Sequence, residues 1–151
     1  MTAGLTIQEV SRRSGLSEPT LRYYEEAGLI GPVGRDVRSG HRRYGDEELD
    51  VLQVLACLRA LGMGIEDMRT YQANRSRGGR AAAAEQRDLL RQHAERMKAE
   101  IAALHTRLRY LEEKSALWDA RARGDAAAAA AAQLRVTDAI TNMDMNTEVK
   151  R

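Results

Sequence analysis

From Arg80 to about Arg123 the chain contains no Gly or Pro, and apolar residues recur along this run with the period of a coiled coil. Leu90, Met97, Leu104, Leu111 and Trp118 are spaced by sevens, and Ala94, Ile101, Leu108 and Ser115 fall between them. The resulting three-and-four alternation is the seam of a heptad helix. A helix of roughly forty residues is about 60 Å long at 1.5 Å per residue. The residues before it are too few to cover such a stripe, so it needs a partner, most simply its copy in a second chain. Leu90, Met97, Ile101, Leu104, Leu108, Leu111 and Trp118 are the expected dimer contacts. The competing reading is a single amphipathic helix folded back on the preceding domain. Ala94 and Ser115 weaken the seam and leave room for such packing.

The residues before this helix divide into short capped segments. Thr6-Ile7-Gln8-Glu9 has the form of a capping box, with the threonine hydroxyl and the glutamate satisfying each other's backbone N–H. Ile7, Val10 and Ser14 follow at helical spacing, and Gly15 stops the helix. Ser17 with Pro19 in the first turn starts a second helix that runs to about Ala27, with Gly28 as its stop. Two short helices joined by a tight turn form a helix-turn-helix, whose second helix enters the DNA major groove. Of Tyr23 and Tyr24, one is expected to pack and one to face DNA, and spacing does not choose between them.

Residues 29–44 carry Gly31, Pro32, Gly34 and Gly40 and cannot be helical. Ser39-Gly40 reads as a hairpin tip, flanked by Arg35 and Arg38 on one side and His41-Arg42-Arg43-Tyr44 on the other. Such a loop is either a solvated turn or, directly after a helix-turn-helix, a wing on DNA. Up to Lys98 every Lys or Arg is arginine, whose planar fork suits phosphate and base edges better than an ammonium does. The net charge of +2 adds little by itself. Gly45-Asp46-Glu47-Glu48 opens a third helix with acids at the positive end of its dipole. Leu49, Leu52, Leu55 and Ala56, with Val51, Val54, Leu58 and Leu61, mark it as a core helix. Gly62-Met63-Gly64 breaks it, and residues 65–71 form a short fourth helix with Ile65 and Met68 inward. The expected organisation is a DNA-binding domain over 1–75, a linker over 76–79, a dimerisation helix over 80–123 and an Ala-rich, polar, mobile tail over 124–151.

In this order, helix-turn-helix, arginine wing, helical pair and coiled coil, the chain resembles the MerR family of transcription regulators. The resemblance rests on Thr6-Ile7-Gln8-Glu9-Val10, Gly15-Leu16-Ser17, Thr20-Leu21-Arg22-Tyr23-Tyr24-Glu25, Gly28-Leu29-Ile30, Gly40 with Arg42-Arg43-Tyr44, and Leu58-Arg59-Ala60-Leu61-Gly62-Met63. It covers residues 5–71, plus the long helix in type. Gly45 departs from the serine or threonine usual at that cap. The resemblance implies a mainly α fold, a winged helix-turn-helix followed by a long antiparallel coiled-coil helix. It also implies a homodimer on a near-palindromic promoter that is bent and untwisted so that RNA polymerase can engage. Carried over residue by residue, Ser17, Thr20, Arg22 and Tyr23 serve the recognition helix, and His41, Arg42, Arg43 and Tyr44 serve the wing. Most of these are expected to grip phosphate, with base readout by one or two side chains.

The remaining residues bear on what switches such a regulator. Cys57 is the single cysteine, which excludes an internal disulfide and fits a reducing, cytoplasmic setting. His93 and His105 lie on different faces, so no thiolate metal site is expected and no cofactor is implied. Too few residues follow Arg123 to enclose a ligand. Cys57 resembles the thiol of the aldehyde- and electrophile-responsive branch, which implies a small reactive inducer, although a cysteine there also serves simply as core filler. No run of eighteen apolar residues marks a membrane span. Phosphate-binding glycine loops and nucleophile elbows are missing too, so an enzyme is not expected. The alternative function is a coiled-coil adaptor whose helix-turn-helix contacts protein; its Arg22 and wing arginines would then be dispensable.

Overall fold

The computed structural model describes residues 4–143. The chain forms six helices and one two-stranded sheet among these residues: α1 (Ile7–Ser14), α2 (Glu18–Glu26), β1 (Gly34–Arg35), β2 (Arg42–Arg43), α3 (Asp46–Ala60), α4 (Ile65–Arg77), α5 (Gly79–Ala122) and α6 (Ala126–Asn142). It divides into two compact units, residues 1–90 and 91–151.

The first unit is built on local signals that each do one job. Thr6 Oγ1 accepts the Glu9 N–H at 3.3 Å while Glu9 Oε2 accepts the Thr6 N–H at 2.7 Å, which closes the capping box of α1. Ser17 caps α2 with Pro19 in its first turn, where the missing N–H costs nothing. Leu21 and Tyr24 turn inward from α2, Val10 from α1, and Leu49, Leu52, Leu55 and Leu58 from α3, and all join one core with Leu29, Ile30, Val33 and Met68. On α3 the buried leucines recur at three-residue steps, so one face of that helix is the floor of the domain. Gly45 leaves the first turn of α3 without a side-chain cap, and the Glu48 carboxylate substitutes by accepting the Gly45 N–H at 2.9 Å.

The 29–44 segment is the expected hairpin, held as a short antiparallel ribbon with Gly34 opposite Arg43 and Arg35 opposite Arg42. Leu5 extends it through a bridge to Tyr44. Asp36 organises the tip, its Oδ1 accepting the N–H groups of Arg38 and Ser39 at 2.9 and 2.8 Å.

The structure departs from the sequence reading in three places here. The fourth helix does not stop near Tyr71 but continues to Arg77, and the expected 76–79 linker contracts to Gly78. Gly78 has φ 64 and ψ −176, a conformation almost confined to glycine. The first turns of α5 then pack on α4: the buried Asn74 amide donates to Gln86 Oε1 at 3.4 Å, and Gln86 Nε2 donates to the Tyr71 carbonyl at 3.0 Å.

The second correction concerns the tail. Residues 126–142 are not mobile coil but helix α6, part of the second unit. Gly124 reverses the chain with φ 68, and the Asp125 carboxylate caps α6 by accepting the Ala128 N–H at 2.9 Å. Ala132 and Val136 bury against Leu117, with Tyr110 and Ala129 at the margin. Ion pairs flank this seam, Arg109 with Asp138 at 2.6 Å and Arg135 with Glu113 at 2.7 Å. These pairings run in opposite directions along the two helices, so α6 lies antiparallel to the end of α5. The part of the expected tail beyond residue 143 lies outside the described residues.

Third, Tyr44, expected on the wing's DNA face, is buried in the core. No described helix is long and apolar enough to cross a membrane.

Candidate nucleic-acid interface

The outward side of α2 carries Ser17, Arg22 and Tyr23, all exposed, with Thr20 half-buried beside them. The choice between the two tyrosines is resolved by packing: Tyr24 is buried in the core, whereas Tyr23 is 51 % exposed. Burial raises the Tyr24 hydroxyl pKa.

Arg22 from α2, Arg35 from β1, and Arg42 and Arg43 from β2 converge with His41 on a cavity of about 280 Å³ that also takes in Thr6, Ile7 and Gln8 at the start of α1. Four arginines beside the positive end of a helix dipole suit anionic oxygen, although Arg22, Arg42 and Arg43 also pair with Glu18, Glu25 and Asp36 at 3.4, 2.7 and 4.0 Å. Arg35 was not among the contacts expected from sequence, because only strand pairing brings it opposite Arg42.

Glu25 fixes this cluster and was also missed as a functional residue. Its Oε2 accepts from Arg42 Nε at 2.7 Å and its Oε1 accepts the Val33 N–H at 3.3 Å. One carboxylate on the recognition helix thereby holds both the start and the return strand of the wing. Burial pushes the Glu25 carboxyl up, but the bonds from Arg42 and Val33, with Arg35 nearby, outweigh it and hold the group below the ordinary glutamate range. The same bond raises the Arg42 pKa. Using Nε for Glu25 leaves the two terminal nitrogens of Arg42 as its outer edge. No local spacing reveals a pair seventeen residues apart.

Tyr44 does not belong to the interface. It is fully buried, and its hydroxyl has no hydrogen-bond partner among the described residues. As the residue after β2 it turns to the face opposite Arg43, and the alternation of a strand sends it into the core. Burial raises its pKa.

Cys57 lies on α3 and is exposed, which overturns the core-filler alternative. The heptad residues of α5 are exposed in the single chain, from 41 % for Leu90 and Met97 to 62 % for Leu111. Trp118, at 58 %, has the Arg121 guanidinium 4.7 Å over its ring. Among the described residues, no group of three or more His, Cys, Asp or Glu side chains could hold a metal ion.

Residues 5–75 match the family described as MerR HTH family regulatory protein. An uncharacterised HTH-type transcriptional regulator of Haemophilus influenzae is 34% identical over 113 residues, covering 75% of this chain and 82% of that one. The crystallised HiNmlR, a MerR family regulator lacking the sensor domain and bound to promoter DNA, superposes with a TM-score of 0.64 at 32% identity, over 83% of this chain and 94% of that one. A putative MerR family transcriptional regulator from Listeria monocytogenes gives a TM-score of 0.63 at 30% identity, over 92% and 98% of the two chains. Relatedness along most of the chain, added to a winged helix-turn-helix with its arginines gathered on one face, identifies the molecule: it belongs to the MerR family of helix-turn-helix transcriptional regulators.

Proposed function

We propose that the chain acts as a homodimer, with two copies of the α2–wing face gripping successive turns of a near-palindromic promoter and bending and untwisting it for RNA polymerase. The observation that carries this reading is the convergence of Arg22, Arg35, Arg42 and Arg43 on one cavity at the foot of the recognition helix. A cluster of that kind binds phosphate without reading sequence and sets the register of the helix. The dimer reading is supported by the unpartnered stripe of α5, where Leu104, Leu108 and Leu111 stand more than half exposed. Bending is a physical consequence of fixing two wings to one duplex, and its cost, of order 1–6 kcal/mol, is offset by added phosphate contacts.

Footprinting on the promoter upstream of the chain's own gene tests the arrangement. Two protected segments about one helical turn apart are expected, with retarded mobility when the site lies mid-fragment. One isolated half-site, or an unbent duplex, would contradict it.

Cys57 is the group through which we infer that a small reactive inducer acts. Its exposure on α3 favours this. Addition of the thiol across an aldehyde carbonyl joins sulfur to carbon and moves the thiol proton to oxygen, giving a hemithioacetal with no change in oxidation state. A reporter strain carrying Cys57→Ala should lose its response to added aldehyde, and an undiminished response removes the idea.

A further inference from the structure

Arg59 stands on the last turn of α3, outside the expected DNA contacts, yet its Nη1 donates to Thr20 Oγ1 on the recognition helix at 3.0 Å. Thr20 Oγ1 lies 2.8 Å from Ser17 Oγ, and Ser17 Oγ accepts the Thr20 N–H at 3.2 Å. We propose that Arg59 is a specificity-determining residue: with Thr20 and Ser17 it forms a donor edge that reads the two acceptors of a guanine in the operator. This rests on the DNA-binding reading and adds a base contact to it.

A hydroxyl offers one hydrogen and two lone pairs, and a guanidinium offers five hydrogens and no acceptor. Between Ser17 and Thr20 one O–H is spent on the other hydroxyl, whichever of the two donates. The Thr20 N–H and Arg59 then occupy two of the remaining lone pairs. What remains is one hydroxyl hydrogen, one hydroxyl lone pair and the unspent N–H groups of Arg59, a set dominated by donors. It lies at the first turn of α2, the part of a recognition helix that meets base edges. In the major groove guanine presents two acceptors, N7 and O6, whereas adenine and cytosine each present an amino donor. The donor edge therefore selects guanine over both.

Position is fixed as well as polarity. Arg59 lines a recess of about 210 Å³ together with Thr20, Tyr23, Tyr24, Met63, Ile65 and Met68, and Thr20 anchors one of its nitrogens. A side chain restrained in this way loses less entropy on meeting a base than a free arginine would.

The test compares wild type, Arg59→Met and Arg59→Lys on the operator duplex, a scrambled duplex and an operator carrying 7-deazaguanine, which lacks N7. Arg59→Met should lower operator affinity about tenfold and change scrambled-duplex affinity by less than about twofold. Arg59→Lys, still a donor, should recover part of the loss. The 7-deazaguanine operator should weaken wild type and cost Arg59→Met little more. Thr20→Val serves as a second variant: its effect combined with Arg59→Met should be less than the product of the two. Equal loss on operator and scrambled duplex, with a shallower salt dependence, would mean a phosphate grip and overturn the assignment, as would no loss at all. Binding of wild type to no duplex would instead be a failure of the DNA-binding reading itself.

Discussion

Glu25 holds two parts of the wing at once, and its removal should be felt in both stability and binding. Because Arg42 and Val33 keep its carboxyl below the ordinary range in the folded chain, its contribution is complete above the unfolded glutamate value of about 4.3. The contribution is lost as pH falls through the lower folded value. Glu25→Gln should lower the unfolding free energy at neutral pH by about 1–2 kcal/mol and flatten the acid limb below pH of about 4, as measured by urea midpoints. Operator affinity should fall with it, because Arg42 loses its anchor. An acid limb identical to wild type would show that the bond contributes nothing. Tyr44 gives the opposite case. Its hydroxyl is buried without a partner among the described residues, so Tyr44→Phe should raise stability or leave it unchanged, within about 1 kcal/mol, and should leave DNA affinity intact. A drop in affinity would restore Tyr44 to the interface.

At the scale of elements, legibility followed the range of the forces involved. Thr6 with Glu9, Ser17 with Pro19, and the stop at Gly28 act within one helical turn, so α1 and α2 could be read from the residues themselves. The inward turn of Tyr44 and the pairing of Glu25 with Arg42 depend on how the wing folds over α2, and neither leaves a local pattern. The helix α6 was missed for a different reason. Its alanine run has little contrast between faces, and an isolated helix of that length is marginal in water. Val136 and Ala132 meeting Leu117 give it a buried face, and that contact lies across a turn at Gly124. The junction at Gly78 makes an element-scale prediction. With φ 64 and ψ −176, Gly78→Ala should destabilise the α4–α5 junction by about 1–3 kcal/mol. The thermal midpoint would report this, and an unchanged midpoint would show that the turn tolerates a side chain.

For the whole molecule, the proposed function requires two reading faces to act together. In the proposed dimer the exposed seam of α5 joins them: Leu104 lies midway between Leu90 and Trp118 in the sequence, so in an antiparallel pair it would fall near the two-fold axis. Leu104→Glu should place two like charges at that axis, convert the dimer to monomer in sedimentation, and reduce operator affinity while leaving the winged domain folded. A dimer that survives this change would have its interface elsewhere. The central claim is that the arginine face binds DNA phosphates, and salt dependence tests it most directly. Operator affinity measured over a range of salt should give a straight line of log K against log salt with slope of about −5 or steeper for two arginine clusters. Arg42→Ala should make that slope shallower by roughly one unit and weaken binding on all sequences alike. A flat line for wild type, or a slope that Arg42→Ala does not change, would contradict the account.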